Sequence, residues 1–233
     1  MNGVSPEIVD ALCLSLEVAA YCTLVTALPG IAVGWLLARC RFPGKTAVDV
    51  LVHVPLVVPP VIVGYLLLLS LGREGWIGRY LNEWFDLRIA FTFWGAVVAA
   101  AICAFPLVVR SVRTAVELVD PRLEQAAATL GAGRLRRLAT ITLPLSLPGI
   151  LAGLSLAFAR SLGEFGATMT FAGNMPGETQ TLSLAVFSRM QSPGSEATVA
   201  ILAAVSIGLA TFSLVLSELF TRWMRQRMAV GNA

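Results

Sequence analysis

Arg160 and Glu164 stand four residues apart within a long apolar run of the sequence, where an ionised side chain is costly unless it has a partner. At helical spacing the two side chains share one face and can form an ion pair. A guanidinium also binds oxyanions through parallel hydrogen bonds. The pair could therefore attract an anion, with Glu164 keeping Arg160 from trapping it. The alternative is that both side chains extend to the outer interface as anchors.

The depth of this pair follows from helix geometry. A helix that enters the membrane near residue 145 and rises about 1.5 Å per residue places Arg160 roughly 22 Å into a core about 30 Å thick. Arg160 is then predicted to lie past the midplane, with Glu164 near the outer boundary. In this interpretation the pair lies beside an outer gate.

A second apparent site, Gly44-Lys45-Thr46, resembles the end of a phosphate-binding P-loop. The leading glycine of that motif would have to stand at position 39, which is Arg39. We therefore expect the chain not to hydrolyse ATP itself. A membrane enzyme is disfavoured as well, because no constellation of His, Cys, Ser and acidic residues gathers near a membrane face.

A histidine-based metal site is not expected, because His53 is the only histidine in the sequence. For His53 a hydrogen bond at a helix start is the favoured role. The four cysteines lack metal-ligand spacing and a disulfide framework, so they are interpreted as small apolar fillers; they are Cys13, Cys22, Cys40 and Cys103. No cofactor, metal or nucleic-acid partner is predicted.

The elements that must position these residues are membrane helices. Of the 233 residues, 57% are hydrophobic and 13% are charged, which is not the composition of a soluble domain. The apolar runs do not alternate with polar residues, which favours helices over barrel strands. We predict a single all-α transmembrane domain over 1–233 with about five spans; they cover about 18–38, 50–71, 89–109, 145–163 and 197–219.

The basic residues orient these spans. Most lie in the connections after spans one, three and five; they are Arg39, Arg41, Lys45, Arg110, Arg113, Arg122, Arg134, Arg136, Arg137, Arg222, Arg225 and Arg227. The opposite side has only Arg73, Arg79, Arg88 and Arg189. The positive-inside rule then predicts the N-terminus outside and the C-terminus in the cytoplasm.

Span two contains Pro55, Pro59 and Pro60 near its cytoplasmic end, so a straight helix cannot form there. Broken spans often line transport pathways, and Pro59 and Pro60 are therefore candidate pathway or gate residues. A bend that serves packing alone is an equal alternative.

Two small-xxx-small patterns, Gly30–Gly34 in span one and Gly149–Gly153 in span four, allow helix backbones to approach closely and are interpreted as packing seams. Between spans four and five, the segment from about 164 to 196 is predicted to lie outside, with a turn at Pro176-Gly177 and a short helix within 179–191. The alternative is that this segment dips partly into the bilayer.

The longest cytoplasmic connection, about 110–144, predicts a short capped helix. Asp120 suits the N-cap, Pro121 the first helical position and Glu124 the positive helix end, and Gly131 can provide a left-handed stop. Its run of alanines gives a smooth face. On local physics alone, this helix could dock a protein partner or lie on the lipid surface.

A longer pattern favours docking. Gln125-Ala126-Ala127, Gly131 and Ile141-Thr142-Leu143-Pro144 resemble the signature loop of the permeases of ATP-binding-cassette (ABC) importers, Glu-Ala-Ala-x3-Gly-x9-Ile-x-Leu-Pro. One departure is that the first position is Gln125, with the acid displaced to Glu124. The segments that carry the resemblance further, to bacterial molybdate permeases, are 40–45, 56–65, 123–134 and 158–168.

The resemblance implies a type I ABC importer permease fold in the bacterial inner membrane. It implies an ATPase-docking role for Asp120, Glu124, Gln125, Ala126, Ala127, Gly131, Leu143 and Pro144. It also implies three partners: a pair of cytoplasmic ATPase subunits, a second permease copy and a periplasmic molybdate-binding protein. The expected substrate is molybdate, with tungstate also transported. A sulfate or thiosulfate permease is the first alternative, and a free-standing secondary transporter is the second.

Overall fold

The computed structural model describes residues 6–230 and is all-helical within them. The helices are α1 (Pro6–Arg39), α2 (Lys45–Val57), α3 (Pro60–Leu71), α4 (Gly78–Phe85), α5 (Phe93–Glu117), α6 (Pro121–Thr129), α7 (Arg134–Arg137), α8 (Leu143–Leu162), α9 (Gly166–Phe171), α10 (Leu182–Met190) and α11 (Glu196–Val230). A π-helical turn, Leu138–Thr142, joins α7 to α8. The all-α prediction is confirmed for this part of the chain.

Four stretches of the described residues are long and apolar enough to cross a membrane: Glu7–Arg39, Phe93–Glu117, Arg134–Leu162 and Glu196–Leu216. The pair α2 and α3 makes a fifth if it is counted as one broken span. The described chain therefore has four or five candidate spans, which agrees with the expected number of about five. The side chains of Arg225 and Arg227, which entered the charge distribution, lie outside the described part.

Helix α5 is the centre of the bundle, packed between α1 and α8. A β-carbon at Gly30 of α1 would lie 2.6 Å from Cγ1 of Val108, and one at Gly34 would lie 2.8 Å from Cβ of Val112. Glycine therefore allows α1 to approach α5 closely, and dispersion contacts along this interface replace the hydrophobic effect that lipid cannot supply.

The second glycine pattern packs α8 on the same central helix. A β-carbon at Gly153 would lie 2.6 Å from Cβ of Ser111, and Gly149 stands directly against Ala115. The Ser111 hydroxyl also donates a 2.8 Å hydrogen bond to the Gly149 carbonyl. Both glycine patterns are thus packing seams, as predicted.

The proline-rich span is broken where the sequence indicates. The chain bends by 114° between α2 and α3. Val58 and Pro59 are extended between the two helices, with ψ 133° at both. Pro59 disfavours the helical conformation at Val58, and Pro60 suits the first position of the new helix. The bend therefore follows directly from the proline pair.

Helices occupy much of the connection predicted over 110–144. Helix α5 continues to Glu117, and the helix that contains α8 begins at Arg134. Arginine is a good helix former, so the helices persist where the sequence becomes basic. Helix α6 lies between them as a separate short element.

Candidate functional site

Helix α6 begins and ends as its sequence predicts. The Asp120 side chain accepts a 2.9 Å hydrogen bond from the backbone N–H of Arg122, and Pro121 occupies the first turn. After the helix, Gly131 has φ +82°, the left-handed conformation that glycine adopts without strain. The capped-helix prediction is confirmed.

The outward face of α6 is largely exposed in the described part of the chain. Gln125 and Ala126 are exposed and Ala127 is half-buried. Next to them Leu130 is 87% exposed and Leu123 48% exposed. An apolar surface of this kind beyond the ends of the spans is typical of a protein contact.

Glu124 points the other way, into the bundle. Its carboxylate lies 3.1 Å from the guanidinium of Arg39, at the last residue of α1. It also accepts a 2.7 Å hydrogen bond from the hydroxyl of Thr142, where the π-turn meets α8. Arg39 in addition donates to the carbonyl of Val119, 2.8 Å away. Glu124 therefore ties α6 to both α1 and α8.

Sequence reasoning missed this connection. It placed Glu124 at the helix N-terminus for its charge alone, and Arg39 counted only toward topology. The partners are far apart in the chain, and the sequence carries no local signal for the contact. A basic residue in the last turn of α1 was the one available hint.

Leu143 and Pro144 of the signature do not lie on α6. They form the first turn of α8, where Leu143 packs against the main core and Pro144 is exposed. Their position makes Leu143 an anchor for the start of α8, next to Thr142.

At the far end of α8, Arg160 and Glu164 form the predicted ion pair. Nη1 of Arg160 lies 2.6 Å from Oε2 of Glu164; the side chain of Arg160 is 33% exposed and that of Glu164 2%. Oε1 of Glu164 also accepts a 3.0 Å hydrogen bond from the backbone N–H of Ala167, in the first turn of α9. Because Glu164 is buried, extension of both side chains to the outer interface is excluded.

Contacts place the pair deeper than the rise along α8 indicates. Helix α8 ends at Leu162, so Glu164 lies in the following turn, and its hydrogen-bond partner Ala167 belongs to the same buried cluster as Cys103 of α5. Cys103 is about 15 Å along α5 from Phe93, the first residue of that helix. Glu164 is therefore inside the bundle rather than at its outer edge.

The broken span reaches the same region. A β-carbon at Gly166, two residues after Glu164, would lie 3.1 Å from Cβ of Pro60 and 3.0 Å from the backbone N of Val61. Helices α3 and α9 pack together along this contact. The structure thus brings the Pro59–Pro60 break and the Arg160–Glu164 pair together, although the two are far apart in the sequence.

The remaining candidates have structural roles. Nδ1 of His53 lies 2.8 Å from the carbonyl of Asp49, in the middle of α2 and not at its start, which corrects the predicted location. Cys22 and Cys103 are buried, Cys40 is half-buried and Cys13 is exposed. Among the described residues, no three potential ligands gather into a metal site.

Comparison with known sequences gives consistent matches. The profile of the family described as "Binding-protein-dependent transport system inner membrane component" matches residues 30–226. The Molybdenum transport system permease protein ModB of Escherichia coli (strain K12) is 55% identical over 218 residues, covering 94% of this chain and 95% of that protein. The protein of the same name from Haemophilus influenzae is 52% identical, covering 96% and 98%.

A related group matches less well. The Sulfate transport system permease protein CysT of Salmonella typhimurium is 36% identical over 213 residues, covering 90% of this chain and 76% of that protein. Among solved structures, an inward-facing MetNI methionine ABC transporter aligns with a TM-score of 0.73 at 17% identity, covering 93% of this chain and 95% of that one. A bacterial alginate ABC transporter aligns with a TM-score of 0.70 at 20% identity, covering 96% and 80%.

Proposed function

The chain belongs to the family of binding-protein-dependent transport system inner membrane components, and from that premise we propose that it is the channel-forming permease subunit of an ATP-driven importer of molybdate. The observation that supports the assignment of the substrate is the 55% identity to a molybdenum permease along nearly the whole of both chains. Tungstate, which is nearly isosteric with molybdate, is the expected second substrate.

The fold agrees with this function. The chain has the fold of type I ABC importer permeases, because solved transporters of that class superpose over 93% or more of it. The predicted fold class and the predicted family are both confirmed. The chain is a transport component in the membrane.

ATP hydrolysis is assigned to a separate partner. A pair of cytoplasmic ATPase subunits would dock on α6, where Gln125, Ala126 and Leu130 are exposed. A second permease copy would complete the pathway, and a periplasmic molybdate-binding protein would deliver the anion. These partners are typical of the family.

Helix α8 connects the two candidate sites. Near its start Thr142 binds Glu124 of α6, and near its end Arg160 binds Glu164. Closure of the ATPase pair would move α6, and the Glu124 contacts would pass that movement to α1 and α8 as a rigid-body change. The movement would reach the Arg160–Glu164 pair beside the broken span, where we place the anion gate.

The alternatives have less support. A sulfate permease is disfavoured because the match to the sulfate group is 36%, against 55% for the molybdenum group. A free-standing secondary transporter needs no exposed capped helix such as α6, and it is outside the family. The discriminating feature is dependence on an ATPase partner.

We also propose a bacterial inner-membrane location with the N-terminus outside and the C-terminus in the cytoplasm. A reporter fused after Arg227 is then active only in the cytoplasm, and one inserted near Asn82 is active only outside. The reverse pattern would refute this orientation.

Co-purification with the ATPase subunit tests the proposed class. Ala126→Asp adds a charge to the exposed face of α6 and should release the ATPase from membranes while the permease stays inserted. Ala126→Ser adds one small polar atom and should retain the complex, which makes it the matched control. Unchanged assembly and uptake in Ala126→Asp would refute docking on this face.

A further inference from the structure

A basic cavity lies on the inner side of α6, behind the face proposed for ATPase docking; it shares Arg39, Glu124 and Thr142 with the contacts described above and is apart from the Arg160–Glu164 pair. It has a volume of about 440 Å³ and is bounded by the end of α1, by α6 and by the segment from α7 into the π-turn. Four arginines line it, Arg39, Arg41, Arg134 and Arg137, and Glu124 is the one acid among its lining residues. Three positive charges therefore remain without a compensating charge from the cavity wall.

The hydrogen bonding of these arginines is incomplete. The Nε atoms of Arg39 and Arg137 are buried and have no hydrogen-bond partner. Arg137 makes one long contact, 3.4 Å, to the carbonyl of Glu124. Buried polar groups in proteins are nearly always paired, and like charges this close repel one another, so the cavity favours an anionic occupant.

The chemistry of the occupant follows from the lining. Guanidinium groups match the oxygens of phosphate-type anions with paired N–H donors. Trp35, one turn before Arg39, also lines the cavity, and tryptophan concentrates at the level of lipid headgroups. Basic pockets at the cytoplasmic ends of membrane helices are suited to anionic headgroups.

We propose that this cavity is a binding site for a phosphate-type anion, formed by Arg39, Arg41, Arg134 and Arg137. The anion is either the phosphodiester of an anionic lipid or a free tetrahedral oxyanion. Arg41 lies in the connection after α1, and Arg134 is the first residue of α7. An anion bound to both arginines would link these two segments, which lie on either side of α6 in the sequence. The site differs from the transport pathway, and its test does not depend on the proposed substrate.

Native mass spectrometry of the purified full-length permease, in its complex where the complex is stable, tests the lipid source. Phosphatidylglycerol is offered against phosphatidylcholine. Wild-type protein should retain phosphatidylglycerol at least tenfold better, and the double variant Arg41→Gln/Arg134→Gln should lose that preference. Arg136→Gln is the control, because Arg136 is an exposed arginine of the same segment outside the cavity lining.

Inorganic phosphate tests the free-anion source. If a free anion is the ligand, millimolar phosphate raises the melting temperature of wild type and of Arg136→Gln but not of the double variant. If a lipid is the ligand, phosphate does not displace it. The proposal is overturned if wild type shows neither a lipid preference nor stabilisation by an anion, or if the effects persist in the double variant.

Discussion

The carboxylate of Glu124 in α6 lies 3.1 Å from the guanidinium of Arg39 at the end of α1. The contact fixes α6 to the membrane bundle on the side opposite to the exposed face that we propose for ATPase docking. The displaced acid of the signature thus has an intramolecular role, which makes coupling between α6 and the spans testable at single residues.

Removal of the Glu124 contacts should uncouple ATPase docking on α6 from transport. Glu124→Ala removes the contacts to Arg39 and Thr142. The pair is partly exposed, so its direct loss costs about 1 kcal/mol and the protein should remain folded. We expect molybdate uptake to fall several-fold while the ATPase still co-purifies. Glu117→Gln, which disrupts a peripheral pair with Arg113, should transport normally. Normal uptake by Glu124→Ala would contradict the coupling role.

Two glycines after α6 form a matched pair. A β-carbon would meet nothing within 4 Å at either Gly131 or Gly133, but only Gly131 has a positive φ, of +82°. Gly131→Ala should therefore cost about 1–2 kcal/mol, from the left-handed conformation alone. Gly133→Ala should be nearly neutral. Thermal unfolding of the purified variants measures this difference. Equal melting temperatures would refute a requirement for glycine at the left-handed position 131.

The close packing of α1 on α5 predicts that a second substitution restores stability lost through the first. In Gly30→Ala the new methyl would lie 2.6 Å from Cγ1 of Val108, so the helices must separate and the melting temperature should fall. Val108→Ala in the same chain removes that atom and should restore part of the loss. Gly208→Ala in α11 meets nothing within 4 Å and is the control. Lack of rescue by the second substitution would argue against this contact as the cause.

The buried ion pair should control transport. Glu164→Gln leaves an acceptor for the Ala167 N–H but leaves Arg160 without its charge partner, so we expect tighter anion retention or ATP hydrolysis without uptake. Arg160→Ala should cut uptake at least tenfold with assembly intact. Glu7→Gln, in the exposed pair with Arg189, should have no effect. Normal transport by both site variants would reduce the pair to a structural link.

Local signals in the sequence predicted much of this arrangement. The caps of α6, the break at Pro59 and the glycine seams each depend on neighbouring residues, whose preferences act over one or two turns. The contacts of Glu124 and the burial of Glu164 depend on which helices pack together. Helix α9 returns toward the bundle after α8, and no periodicity in a six-residue segment indicates that return. The sequence therefore predicted the Arg160–Glu164 pair and the caps of α6, and the structure supplies the contacts between helices.

ATP-driven molybdate import is tested most directly by uptake of radiolabelled molybdate into vesicles that contain the assembled complex and its binding protein. We expect accumulation that requires ATP on the side of the membrane where the ATPase subunits lie, is competed by equimolar tungstate and is unaffected by a hundredfold excess of sulfate. Accumulation without ATP, or competition by sulfate in preference to tungstate, would contradict it.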